Sequence, residues 1–203
     1  PACLLLDEPI SSLDKGARAE IRALLREIHD QRTAILHVTH DYEEALALAD
    51  RIGVMENGTI VQTGTPREVF TRPRSEFVAD FVGVRNFFRG ELVDRDGELK
   101  DFRTDGISFA VLTGQKPGRG NILIRSTDIT ISAERVSTSA RNCFRARVSD
   151  FFPARPGIEV IMDTGVELAV MITEQSFESI DIRRGAELFV SIKASAIKFM
   201  RVE

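Results

Sequence analysis

The chain has 203 residues, 43% of them hydrophobic and 29% charged, and a formal net charge of −4. That composition fits a folded globular protein of one or two domains rather than a disordered chain. It supplies no excess of basic residues for a nucleic-acid backbone and no apolar run of about 18 residues to span a bilayer. Residues 2–6 form a continuous apolar run, the pattern of a parallel strand buried on both faces. Residues 15–30 carry Ala17, Ile21, Leu24, Leu25 and Ile28 at helical spacing. Residues 33–38 read as a second buried strand. Asp41 and Glu44 then make a helix-start box before Ala45-Leu46-Ala47-Leu48-Ala49. Segments 52–56 and 59–63 flank Asn57-Gly58, a two-residue hairpin signal. Thr65-Pro66-Arg67-Glu68 opens a short helix with threonine as cap and proline at its first position. Residues 75–82 predict one more helix. This order, strand and helix in alternation, predicts an α/β unit with a parallel core over residues 1–83.

From residue 84 the pattern changes. Strands become short and alternating, punctuated by Asp96-Gly97, Asp105-Gly106, Pro117-Gly118, Pro156-Gly157 and Thr164-Gly165. Such spacing predicts small antiparallel barrels. An internal repeat supports two of them. Segment 86–94 aligns with 142–150, segment 106–112 with 165–171, and segment 124–131 with 192–199. The offset grows along the chain, so the second copy carries insertions. We expect five-stranded OB-like barrels over 84–135 and 136–203. Cys3 and Cys143 show no metal-site or Cys-x-x-Cys spacing and are expected as buried, reduced thiols.

Three motifs in the first eighty residues carry chemistry. Leu4-Leu5-Leu6 ends in the adjacent carboxylates Asp7 and Glu8, Ser12-Leu13-Asp14 follows, and Thr39-His40-Asp41 closes the next strand. Carboxylates at a strand end suit a metal ion or a proton transfer. In this order, with one helix between, the set resembles the second half of an ABC-transporter ATPase. The resemblance implies that Asp7 helps hold Mg²⁺, through water as that ion prefers. It implies that Glu8 orients or deprotonates the attacking water. His40 would bond the γ-phosphate, and Ser12 and Asp14 would face the opposing subunit across bound ATP. Phosphoryl transfer depends mainly on such positioning. The family's Gly-x-x-x-x-Gly-Lys-[Ser/Thr] loop and Leu-Ser-Gly-Gly-Gln signature do not occur in the 203 residues. The resemblance places them ahead of Pro1 on a longer parent chain, so these residues alone are expected not to hydrolyse ATP.

The C-terminal region resembles the molybdate-binding Mop module of the TOBE class. Ser139-Ala140-Arg141-Asn142 with Phe144, Ile172-Thr173-Glu174-Gln175-Ser176 and Ile192-Lys193-Ala194-Ser195 carry that likeness. It implies an oxyanion held by Ser139, Ala140, Arg141, Thr173, Ser176, Lys193, Ala194 and Ser195. Hydroxyls, amides and one or two cations suit a dianion. The first copy has Arg125 where the second has Lys193, and is expected to be structural. The resemblance implies the ATP-hydrolysing subunit of a molybdate or tungstate importer, with ATP, Mg²⁺ and a regulatory molybdate or tungstate as ligands. It also implies a homodimer at the cytoplasmic face of the membrane, bound to transmembrane permease subunits. These would receive cargo from a periplasmic or extracellular oxyanion-binding protein, and no nucleic acid is involved. Importers of sulfate, iron, polyamines or sugars, and a purely oxyanion-binding module, are the alternatives.

Overall fold

The computed structural model describes residues 3–202, apart from the side chains of Lys15 and Asp96. The chain divides into two units, Pro1–Val82 and Gly83–Glu203.

In the first unit, strand β1 (Cys3–Asp7) pairs in parallel with β2 (Ala34–Val38), and helix α1 (Lys15–Asp30) connects them. Ala2, the expected first residue of β1, lies outside the described residues. Asp14 caps α1: its side chain accepts from the Gly16 and Ala17 amides, two of the donors that a helix start leaves open. Helix α2 (Tyr42–Leu48) follows β2. Strands β3 (Ile52–Glu56) and β4 (Thr59–Gly64) form a hairpin across Asn57 and Gly58, both at positive φ as a tight hairpin turn requires. Helix α3 (Pro66–Thr71) starts with a complete capping box between Thr65 and Glu68, and Ser75 caps α4 (Glu76–Phe81).

Three expectations fail here, wholly or in part. The β1–β2 sheet is not buried on both faces: Leu5 is 73% exposed and its partner Leu36 is 61% exposed. Two strands alternate their side chains, so Leu4, Leu6, Ile35 and His37 are half-buried while Cys3, Leu5, Asp7, Ala34, Leu36 and Val38 share an open face. Cys3 is therefore exposed rather than buried, and Cys143 is half-buried. The box at Asp41 also forms only in part. Asp41 accepts from the Glu43 and Glu44 amides, but the Glu44 side chain turns inward to Thr39.

The second unit is mostly β. Its strands are β5 (Asn86–Asp96), β6 (Leu99–Arg103), β7 (Ser108–Leu112), β8 (Gly118–Ile124), β9 (Ile129–Ser132), β10 (Asn142–Ala154), β11 (Gly157–Asp163), β12 (Glu167–Ile172), β13 (Glu187–Ile192) and β14 (Lys198–Arg201). The chain order does not match the pairing order. One sheet runs β14-β8-β5-β6-β7 and the other β12-β11-β10-β13-β9. Strand β9 belongs by sequence to the expected barrel 84–135, yet it pairs with β13. Strand β14 belongs to 136–203, yet it pairs with β8. The two repeats have exchanged their last strands, so neither expected barrel is a separate body.

Both sheets share one core, which includes Phe102, Phe109, Ile122, Ile124, Met162, Leu168, Val190 and Ile192. Phe109 is central: it lies 5.6 Å from the ring of Phe88 and 5.6 Å from that of Phe144, which belongs to the other repeat. The insertion foreseen in the second copy is helix α5 (Glu174–Ser179), which Phe177 pins against Phe151 at 4.8 Å. Arg184 lies over the Phe151 ring, 5.8 Å from its centroid, and hydrogen-bonds Asp150 at 2.6 and 2.8 Å.

Candidate functional site

The first cluster sits where β1 and β2 end. Glu8, at φ +48, donates its amide to Val38 O. That turn swings its carboxylate toward β2, where His40 Nδ1 lies 2.6 Å from Oε1 and the His40 amide donates to the same oxygen at 3.1 Å. The hydrogen bond to Glu8, then the Glu8 charge, raise the His40 pKa above its ordinary 6.5, with lesser help from Asp41 and Glu44. The structure thus joins Glu8 and His40 directly. Asp7 is exposed on the open sheet face.

Beneath them lies a group that the motif reading missed. Thr39 Oγ1 donates to Glu44 at 3.0 Å and accepts the Asp41 amide at 3.0 Å. Glu44 is buried, with His37 Nε2 2.6 Å from its Oε1, off the line of a hydrogen bond. No motif marks this group, which the end of β2 and the first turn of α2 bring together. Ser12 is exposed, while one carboxylate oxygen of Asp14 is committed to capping α1. Mg²⁺ commonly takes one or two protein carboxylates, with water and substrate phosphates supplying the rest. The free Asp7 carboxylate fits one such ligand. Among the described residues no group of three or more His, Cys, Asp or Glu is placed to hold a metal ion by itself.

The second cluster is a cavity of about 400 Å³ lined by Asp128, Thr130, Ser132, Val136, Thr138, Ala140, Ser191, Lys193 and Ala196. Strand exchange builds it: Thr130 and Ser132 come from the first repeat on β9, and Ser191 and Lys193 from the second, on and just past β13. Of the expected oxyanion residues, Ala140 and Lys193 line it. Ser139, Arg141, Thr173, Ser176, Ala194 and Ser195 do not. Thr173 instead caps α5, its Oγ1 accepting the Ser176 amide at 3.1 Å and donating to Ser176 Oγ at 2.9 Å. The Ala140 amide is likewise taken, by Thr138 Oγ1 at 3.0 Å. The sequence does not single out Thr130, Ser132 and Ser191, because Thr and Ser on strands carry no distinguishing pattern, nor Thr138 in the segment between β9 and β10.

Charge partners separate the basic residues around this fold. Arg85 pairs with Glu159, Lys100 with Asp94, Arg184 with Asp150, and Arg145 and Arg147 with Glu187. Lys193 and Arg141 have no such partner among the described residues. An unpaired ammonium among hydroxyls is a donor set for an anionic oxygen.

The chain carries a TOBE domain and is similar over most of its length to ATP-binding subunits of importers. Residues 138–199 match the TOBE domain family. The chain is 39% identical over 199 residues to the molybdate/tungstate import ATP-binding protein WtpC of Pyrococcus horikoshii, covering 97% of this chain and 56% of that protein. It is 36% identical over 155 residues to the spermidine/putrescine import ATP-binding protein PotA of Trichormus variabilis, 73% of this chain and 40% of that one. It is 41% identical over 134 residues to the Fe(3+) ions import ATP-binding protein FbpC 1 of Rhizobium meliloti, 64% of this chain and 38% of that one. The chain therefore spans about half the length of the curated relatives it matches over most of its own. Among solved structures, the cytoplasmic molybdate-binding protein ModG aligns with a TM-score of 0.48 and 20% identity over 57% of this chain and 95% of that one. No helix among the described residues is long and apolar enough to cross a membrane.

Proposed function

We propose that this chain is part of the ATP-hydrolysing subunit of a molybdate or tungstate importer. In this reading the β unit binds the cytoplasmic oxyanion and regulates transport. The observation that carries it is the unpartnered Lys193 in a cavity with four hydroxyl side chains. Its similarity to the molybdate/tungstate import protein over 97% of the chain supports the same cargo. Arg141, also without a charge partner among the described residues, is a second cation near in sequence to the cavity wall.

In the other unit, Mg²⁺ would neutralise nucleotide phosphate charge when bound, and Asp7 is the residue that would hold it. Glu8 would orient the attacking water, with His40 fixing the direction of its carboxylate through a 2.6 Å contact. The phosphate loop and signature motif would come from the rest of a longer protein. Homodimerisation and attachment to permease subunits at the cytoplasmic membrane face complete the reading.

A second reading has one observation in its favour. Asp128 lines the same cavity, and a carboxylate there suits a cationic cargo such as a polyamine. Calorimetric titration of the 203-residue protein with molybdate, sulfate and spermidine tests both. Molybdate binding that is lost in Lys193→Ala supports the oxyanion reading. Spermidine binding lost in Asp128→Asn, with no molybdate response, replaces it by the polyamine reading.

A further inference from the structure

Arg18 stands in the first turns of α1, and its guanidinium folds back over the loop that leads into that helix. Nε donates to Leu13 O at 2.8 Å, and one terminal nitrogen donates to Ser11 O at 3.0 Å. The other terminal nitrogen faces Asp41 Oδ2 at 3.7 Å, both side chains being partly shielded from water. One side chain thus touches the Ser12 loop on two carbonyls and the residue after His40 on its carboxylate.

The Asp41 end of this contact is rigid. Its Oδ1 accepts the Glu43 and Glu44 amides, and its own amide donates to Thr39. Thr39 in turn is held by buried Glu44. The Asp41 carbonyl accepts the Ala45 amide at 3.1 Å, so every other polar group of Asp41 has a partner and Oδ2 is the one left for Arg18. Only a planar guanidinium presents N–H groups in three fixed directions; a lysine ammonium at the end of a flexible stem cannot reproduce that fork.

We propose that Arg18 is a positioning residue that couples the Ser11–Asp14 loop to the Thr39–Asp41 segment, and through it sets the Glu8–His40 contact. A displacement of Ser12 would then be felt at His40, 28 positions along the chain. Its catalytic meaning rests on reading Glu8 and His40 as the water-orienting pair. The coupling itself does not.

The test uses the 203-residue protein with Arg18→Ala, Arg18→Lys, Asp41→Asn and, as a control, Leu25→Ala, which opens a void beneath α1 without touching the fork. Hydrogen exchange of the His40 amide and the ¹⁵N shift of its Nδ1 both report contact with Glu8. Arg18→Ala should speed His40 exchange about tenfold and move the Nδ1 shift, the size of one lost charge-assisted bond. Asp41→Asn, which keeps the cap, should do the same, and Arg18→Lys should rescue only in part. Leu25→Ala should lower the melting temperature and leave both His40 signals in place. Equal His40 signals in Arg18→Ala and wild type, full rescue by lysine, or the same change in Leu25→Ala would overturn the coupling. No nucleotide is present, so a chain that proves unable to bind ATP leaves this result standing, and the loss of the coupling leaves the nucleotide reading untouched.

Discussion

Asn142 and Ala110 exchange two hydrogen bonds across the repeats: the Ala110 amide donates to Asn142 Oδ1 at 2.7 Å, and Asn142 Nδ2 donates back to Ala110 O at 2.9 Å. Asn86 and Ala169 make the mirror image, at 2.7 and 2.8 Å. Each asparagine also donates to its own repeat, at Ile192 O or Ile124 O. Each carboxamide thus supplies a buried strand edge with the partners that a neighbouring strand would otherwise supply. Asn86 opens β5 and Asn142 opens β10, the corresponding strands of the two repeats.

Replacing Asn142 by alanine should therefore be costly. It strands the Ala110 amide and carbonyl in a site where Asn142 is 2% exposed. We expect a loss of about 2–4 kcal/mol, read as a lower urea midpoint at unchanged slope. Asn86→Ala should cost about the same.

A second cross-repeat approach involves glycines. A Cβ on Gly106 would lie 2.9 Å from Gly165 O, and Gly106 has φ +114. Gly106→Ala then meets both a backbone clash and a strained dihedral, and should destabilise by about 1–3 kcal/mol. The same urea titration checks it.

His40 should titrate above 6.5, because the Glu8 carboxylate accepts its proton and attracts its charge. A raised folded-state pKa means that this contribution to stability is fully present below 6.5 and fades as pH rises through the folded value. An NMR titration of the His40 ring should show the raised value, and Glu8→Gln should return it toward the ordinary one.

In the proposed oxyanion cavity, Lys193→Ala should weaken molybdate binding by more than about tenfold, the scale of a charge-assisted bond. Arg141→Ala should weaken it by less than about threefold, because Arg141 is outside the cavity lining. Calorimetry on the two variants distinguishes them, and equal losses would move the site toward Arg141.

Elements built from near neighbours were legible before any fold was known. Thr65 and Glu68 close their box, Asn57-Gly58 turns its hairpin, and α1 spans the 15–30 periodicity because all its bonds are local. The repeat was legible as well, down to Asn86 opposite Asn142. The inward turn of Glu44 was not, since a carboxylate three residues past a cap serves either the cap or an inward partner, and here Thr39 takes it.

The sequence by itself determined the Thr65 cap, the Asn57-Gly58 hairpin, the paired repeats and the residue types that carry charge at residues 7, 8, 40 and 193. Only the tertiary structure decided that β9 and β14 change sheets, that Lys193 shares a cavity with Thr130 and Ser132 while Thr173 caps a helix, and that Arg18 spans two loops. Periodicity records which face of a strand is apolar but not which edge it joins. Edge choice depends on what the rest of the core leaves unpaired, and no window of sequence contains that.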